Sequence, residues 1–126
     1  MFKELPRPTE SELAILRVLW RTGPCTVRQV VDASPPGTGY TTILKFMQIM
    51  TDKGLLIRDD SARTHVFKPA QSEESTQRQL LSDLMDRAFG GSAQKLVLQA
   101  LSGSKPSREE LTELRRMLRN LNARES

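Results

Sequence analysis

Large apolar residues near the start of the chain recur at helical spacing. With residues placed about 100° apart, five of them share one broad stripe: Leu13, Ile15, Leu16, Leu19 and Trp20. Thr9 and Glu12 have the spacing of a capping box just before this stripe, and Gly23 and Pro24 follow it. The pattern predicts a helix over about residues 10–21.

A shorter apolar pattern follows. Thr26 and Gln29 again have capping-box spacing, and they introduce three valines, Val27, Val30 and Val31. The segment 34–39 is too rich in Pro and Gly to continue a helix. The sequence therefore predicts a second, short helix that a tight turn joins to the first.

The third pattern, over residues 40–53, has two different sides. Its apolar stripe contains Ile43, Phe46, Met47 and Met50. The opposite side carries Thr41, Lys45, Gln48 and Asp52. Gly54 suits a left-handed C-terminal cap. We expect a helix with one apolar face and one face of hydrogen-bonding side chains.

Two short β-rich segments, 55–58 and 64–68, flank the polar segment 59–63. Such a pattern is typical of a hairpin whose turn is the polar segment. The order helix, helix, helix, hairpin is that of a winged helix-turn-helix. Pro69 closes this part of the sequence.

After Pro69 the chain contains no further β-rich segment. It predicts helices over about 73–89 and 93–101, separated by Gly90 and Gly91, and a last helix that begins at a third capping box, Ser107 with Glu110. The predicted fold class is mainly α: a winged helix-turn-helix domain over 1–70 followed by a three-helix dimerisation domain over 71–126.

Composition narrows the function classes. The chain has 126 residues and a formal net charge of +4, with 10 basic and 7 acidic side chains in residues 1–70. One cysteine, Cys25, and one histidine, His65, are too few for a metal site or a His-based catalytic group. No apolar run approaches the roughly 20 residues of a membrane span, and residues 1–8 lack the core of a secretory signal. We expect a cytoplasmic protein without cofactor, metal, enzymatic activity or membrane insertion.

The polar face of the third helix is a candidate nucleic-acid surface. A helix enters the DNA major groove with outward side chains that donate and accept hydrogen bonds. Thr41 and Thr42 lie at the N-terminal end, where the helix dipole attracts phosphate, while Lys45 suits guanine or phosphate and Gln48 suits adenine. The alternative is the solvated face of an ordinary amphipathic helix.

The hairpin carries two further candidate cations. Arg58 and Arg63 can neutralise phosphates beside the groove. In the alternative interpretation they are solvated and paired with Asp59 and Asp60. His65 is expected on the strand surface.

Leucines of the last helix are spaced as in a coiled coil. Leu111, Leu114, Leu118 and Leu121 follow one another at intervals of 3, 4 and 3 residues. We assign them, with Leu96 of the preceding apolar helix, to a homodimer interface. A helix packed on its own subunit is the alternative. A two-fold dimer would present two reading helices to two half-sites.

Several stretches together resemble the penicillinase-repressor (BlaI/MecI) family of winged-helix regulators, over about residues 7–122. They are 8–16 (PTESELAIL) with Leu19 and Trp20, 26–31 (TVRQVV), 40–43 (YTTI), 53–56 (KGLL), Arg63, Pro69, 89–92 (FGGS), 107–111 (SREEL) and 113–116 (ELRR).

The resemblance implies a homodimeric transcriptional repressor that binds a dyad operator in double-stranded DNA, often of the TACA/TGTA kind. In antibiotic-responsive relatives a membrane-bound sensor metalloprotease triggers cleavage of the repressor. The cleaved bond maps between Gln99 and Ala100, where those relatives have Asn-Phe. The Cys cluster of the copper-responsive relatives is absent, so metal sensing is not implied.

Two positions in the DNA-binding half depart from the family pattern. Many members carry Arg where this chain has Ile49, and Gly where it has Ala62. We expect Ile49 to contact DNA through a thymine methyl rather than a phosphate. The competing function class is a winged-helix protein-interaction module that acts without sequence-specific DNA binding.

Overall fold

The structure is a computed structural model that describes residues 5–125, with the backbone alone at residue 125. The described part is mainly helical, with six helices and two strands. In chain order they are α1 (Glu10–Thr22), α2 (Val27–Asp32), α3 (Tyr40–Lys53), β1 (Leu56–Asp59), β2 (Val66–Pro69), α4 (Glu73–Ala88), α5 (Ala93–Ser104) and α6 (Arg108–Glu125).

The first two helices begin at the predicted capping boxes. The Thr9 hydroxyl accepts from the Glu12 amide, and the Glu12 carboxylate accepts from the Thr9 amide at 2.9 Å. Thr26 and Gln29 repeat this exchange at the start of α2. Each box satisfies two backbone groups that helix ends leave unpaired, so the local sequence sets where α1 and α2 start.

Helix α3 has the predicted bounds and the predicted two faces. Ile43, Met47 and Met50 are buried, and Phe46 is half-buried against the same core. Gly54 ends the helix at φ 88°, a left-handed conformation that a side chain would strain.

The hairpin is shifted from its predicted position by one or two residues. β1 and β2 are antiparallel, with Leu56 opposite Pro69 and Asp59 opposite Val66, so the turn comprises residues 60–65 rather than 59–63. His65 therefore lies in the turn and not on a strand. Its Nδ1 is 2.5 Å from Oδ1 of Asp60, a contact that holds residue 65 away from the ladder.

Cys25 forms an isolated antiparallel β-bridge with Phe67 of β2. Its amide donates to the Phe67 carbonyl at 3.0 Å, and the Phe67 amide donates back to the Cys25 carbonyl at 2.8 Å. The thiol is buried and donates to the carbonyl of Gly23 at 3.3 Å. Cys25 thus ties the turn after α1 to the hairpin.

The chain divides into two compact units at Leu81 and Ser82, inside α4. The first unit contains an apolar core of buried residues, which joins α1, α2, α3 and the sheet. The start of α4 belongs to it: the Trp20 indole donates to the Gln71 carbonyl at 3.1 Å, and the Gln79 amide donates to the Leu5 carbonyl at 2.8 Å. These long-range bonds tie Gln71 and Gln79 to the first unit.

The second unit consists of the end of α4, α5 and α6, and none of its described side chains is buried. Gly90 and Gly91 separate α4 from α5 at positive φ, and Ser92 caps α5. Ser107 and Glu110 form the third predicted capping box. α5 continues to Ser104, beyond the expected end at residue 101. Among the helices of residues 5–125, none is long and apolar enough to cross a membrane.

Candidate nucleic-acid interface

The exposed face of α3 holds the five residues assigned to it from the sequence. Thr41, Thr42, Lys45, Gln48 and Ile49 are all exposed, and the side chain of Ile49 is 41% accessible. The buried residues on the other side of α3 fix this face in orientation, because a rotation of the helix would bring polar groups into the core.

Two surface pockets flank this face, and the five residues are divided between them. Thr41, Thr42, Lys45 and Ile49 line one pocket together with Phe46. Gln48 lines the other, which we call the wing groove. Its wall is formed by α2, α3 and the hairpin, and it includes Gln48, Arg58, Arg63, Arg28 and Tyr40. The structure brings Gln48 to the two hairpin arginines and places Lys45 apart from them.

Arg28 and Tyr40 are interface candidates that were not selected from the sequence. The Arg28 guanidinium carbon lies 4.8 Å from the centroid of the Tyr40 ring, within the range of a cation–π contact. Arg28 follows the N-cap of α2, and Tyr40 is the first residue of α3. The sequence shows only a cation near the start of one helix and an aromatic residue at the start of another. Whether the two side chains meet depends on the angle between α2 and α3.

The charges of the hairpin are partly compensated within the turn. Arg58 Nε lies 2.8 Å from Oδ1 of Asp60, the oxygen that also contacts His65. This is the pairing that the alternative interpretation anticipated for Arg58. The hydrogen bonds from the Ser61 side chain and amide lower the pKa of Asp59, so this neighbouring carboxyl stays ionised.

An ion pair between the exposed Lys53 and the buried Glu12 joins the C-terminal end of α3 to the start of α1. Lys53 Nζ lies 2.7 Å from Oε1 of Glu12, whose side chain is 3% exposed. Burial raises the pKa of Glu12, but the hydrogen bonds from Lys53 and Thr9 and the charge of Lys53 outweigh it, so that the net pKa is lowered. The pair positions the helix that carries the polar face.

The leucines assigned to the dimer interface are incompletely covered in the single chain. Leu114, Leu118 and Leu121 are 36%, 61% and 57% exposed, while Leu96 and Leu111 are half-buried. Leu98 and Met117 add further exposed apolar surface in the same unit. Across the described residues, no group of three His, Cys, Asp or Glu side chains is arranged to hold a metal ion.

A winged helix with an exposed polar third helix defines the class of helix-turn-helix regulators. The chain belongs to the penicillinase repressor family, whose profile matches residues 8–120. This membership confirms the predicted family and fold class, and it identifies the protein as a transcriptional repressor and not an enzyme.

Individual relatives are similar over most of their length. The transcriptional regulator BlaI of Mycobacterium tuberculosis is 30% identical over 124 residues, covering 95% of this chain and 88% of its own. The penicillinase repressor of Bacillus licheniformis is 23% identical over 118 residues, or 92% of each chain. A solved structure of a probable transcriptional regulator from Pseudomonas aeruginosa aligns with 90% of this chain and 77% of its own, at 25% identity and a TM-score of 0.44.

Proposed function

We propose that the protein is a homodimeric repressor that binds a dyad operator through α3 and the hairpin. The observation that carries this is the exposed polar face of α3, flanked by the wing groove with its three arginines. Residues 1–70 are proposed to read DNA and residues 71–126 to form the dimer. Double-stranded DNA and a second copy of the chain are the proposed partners.

The side chains on α3 match the two kinds of DNA contact. Thr41 and Thr42 are in the first turn, where hydroxyl and amide groups can bind phosphate. Lys45 and Gln48 lie one and two turns further along, at the depth where base edges are read. Ile49, exposed beside Lys45, offers an apolar contact to a thymine methyl.

The wing groove supplies phosphate contacts beside the reading helix. Arg28, Arg58 and Arg63 line it from two different elements, so a DNA backbone in this groove would meet positive charge on both walls. Phosphate would compete with Asp60 for Arg58. We therefore expect Arg58 to contribute less to binding than Arg28 or Arg63.

The apolar surface of the second unit supports the proposed dimer. A helix that exposes a leucine seam and buries no side chain gains little stability from its own subunit. A two-fold partner would cover the same seam on both chains. The two reading helices would then face half-sites about one DNA turn apart.

The test is a DNA titration with the full chain and the DNA upstream of its own gene. If about six phosphates are neutralised per dimer, log K should fall against log salt with a slope near −5. Binding that is undetectable or insensitive to salt would contradict the proposal.

A pair of matched variants separates the repressor from a protein-interaction module. Lys45→Ala with Gln48→Ala should abolish specific DNA binding while the dimer remains intact. Gln94→Ala with Lys95→Ala removes the same two side-chain types from α5 and should leave DNA binding unchanged. If the α3 variant binds the operator normally, the module without sequence-specific DNA binding becomes the better interpretation.

Control by a membrane-bound sensor metalloprotease is a further part of the proposal, and it rests on the resemblance to antibiotic-responsive relatives. Gln99 and Ala100 are exposed but lie inside α5, so cleavage requires local unwinding of that helix. Mass spectrometry of the repressor from antibiotic-treated cells should show a fragment ending at Gln99. An intact chain in derepressed cells would exclude cleavage as the signal.

A further inference from the structure

A groove on the first unit lies on the side of α3 away from the wing groove. Three segments line it: α1, the loop between α2 and α3, and α3 itself. Its volume is about 490 Å³, within the range of roughly 300–1,000 Å³ that small-molecule sites occupy. We call it the α1–α3 groove.

The groove combines an apolar floor with a cationic rim. Ile15, Val18 and Ile43 are buried side chains that form the floor, and Phe46 is half-buried beside them. Arg17 and Arg21 lie one turn apart on the exposed side of α1. Neither has a carboxylate partner among the residues that the structure describes.

The hydroxyl groups of the loop are already engaged. Ser34 donates to the Val30 carbonyl at 2.7 Å, and Thr38 donates to the Pro35 carbonyl at 2.6 Å. Their protons are therefore not available to a ligand. The charged donors of the groove are the two guanidinium groups, and the hydroxyl groups of Ser11 and Thr42 also line it. This arrangement favours a ligand that places a negatively charged group at the rim and an apolar body on the floor.

We propose that the α1–α3 groove binds a small organic anion, with an apolar body of one or two rings or a short acyl chain and a carboxylate that pairs with Arg17 and Arg21. The body packs on Ile15, Val18 and Phe46. A compact ligand fits better than an extended peptide because the loop between α2 and α3 forms a third wall of the groove. Thr42 lines both this groove and the pocket of the proposed DNA contacts, whereas Arg17 and Arg21 belong to the groove alone.

The test uses 1-naphthoate and its uncharged analogue 1-naphthalenemethanol on the full-length protein without DNA. Amide chemical shifts should change saturably for Ala14, Ser34 and Thr42, and the naphthoate should bind more tightly than the alcohol. Arg17→Gln with Arg21→Gln should weaken naphthoate binding about tenfold, as the loss of charged hydrogen bonds predicts, and leave the alcohol unaffected.

Two further variants complete the experiment. Arg115→Gln with Arg119→Gln removes the same charges at the same spacing from α6 and should leave naphthoate binding unchanged. Ala14→Trp fills the groove and should abolish binding of both probes. The proposal is wrong if the shifts fall on the exposed leucines of the second unit, if both arginine pairs weaken binding equally, or if the alcohol binds as tightly as the naphthoate. None of these measurements involves DNA, so their failure is distinguishable from failure of the repressor function.

Discussion

At the scale of single residues, α3 presents five exposed side chains to the proposed interface, and a cation–π contact between Arg28 and Tyr40 lies beside them. All five assigned residues of α3 are exposed because helical periodicity alone determines which face a side chain occupies. The contact between Arg28 and Tyr40 depends on how α2 and α3 cross, which periodicity does not contain. The backbone bridge between Cys25 and Phe67 is likewise not predictable from the sequence, because a single paired residue produces no alternating pattern.

Arg28→Ala should weaken binding to the operator and to unrelated duplex DNA alike, because a phosphate contact carries no base information. The slope of log K against log salt should become less negative by about 0.9 for each protomer. Titrations at several salt concentrations measure both effects. Arg119→Ala removes one charge from α6 and serves as the control, and an unchanged slope in Arg28→Ala would exclude the contact.

Glu12→Gln should destabilise the first unit by about 2 kcal/mol, since it removes a charged hydrogen bond from Lys53. The pKa of Glu12 in the folded protein is lowered from its usual 4.5, so the carboxylate stabilises the fold above that pH. This contribution disappears as the pH falls through the lower, folded-state pKa. Urea unfolding followed by Trp20 fluorescence gives the free energy of unfolding of the variant and of the unmodified protein. Their difference should be constant above pH 5.5 and should shrink below pH 4.5. A difference independent of pH would contradict the ion-pair explanation.

At the scale of elements, the capping residues account for the accuracy of the helix boundaries. Three capping boxes and Gly54 are local signals, and local hydrogen bonds determine where those helices begin and end. The hairpin lacked such a signal. Its turn is closed by Asp60, whose contacts with Arg58 and His65 depend on the three-dimensional path of the turn, and the predicted strands were therefore displaced.

Gly54→Ala should lower the free energy of unfolding by about 1–2 kcal/mol, because alanine is strained in the left-handed conformation at φ 88°. The added Cβ would meet Pro6 only at 3.9 Å, an ordinary contact, so the cost is conformational rather than steric. Gly103→Ala lies in α5 with open space around it and should instead stabilise by about 0.5 kcal/mol. Urea denaturation of both variants checks the opposite signs; the same sign in both would refute this assignment of the Gly54 cap.

At the scale of the whole molecule, the sequence predicts a winged helix followed by helices, and the structure divides into two compact units inside α4. Helical periodicity continues through α4 and therefore does not mark this division. The bonds from Trp20 to Gln71 and from Gln79 to Leu5 tie the start of α4 to the first unit. The second unit exposes much apolar surface. Seven of its large apolar residues are exposed, among them Leu98, Leu114 and Leu118. Such a surface favours a partner over an isolated chain.

Leu114→Asp with Leu118→Asp tests that partner directly. Two carboxylates on the seam would have to be desolvated in a dimer, so we expect a monomer by light scattering. Thr112→Asp with Asn120→Asp places the same two charges on the opposite side of α6, about 140° from the seam, and should remain dimeric. The monomer should also lose most of its operator affinity, because each protomer would bind one half-site without the effective concentration that a linked partner provides. An unchanged mass for the Leu114→Asp, Leu118→Asp variant would assign the leucines to packing within one chain. A monomer with full operator affinity would show that a single winged helix is sufficient for binding.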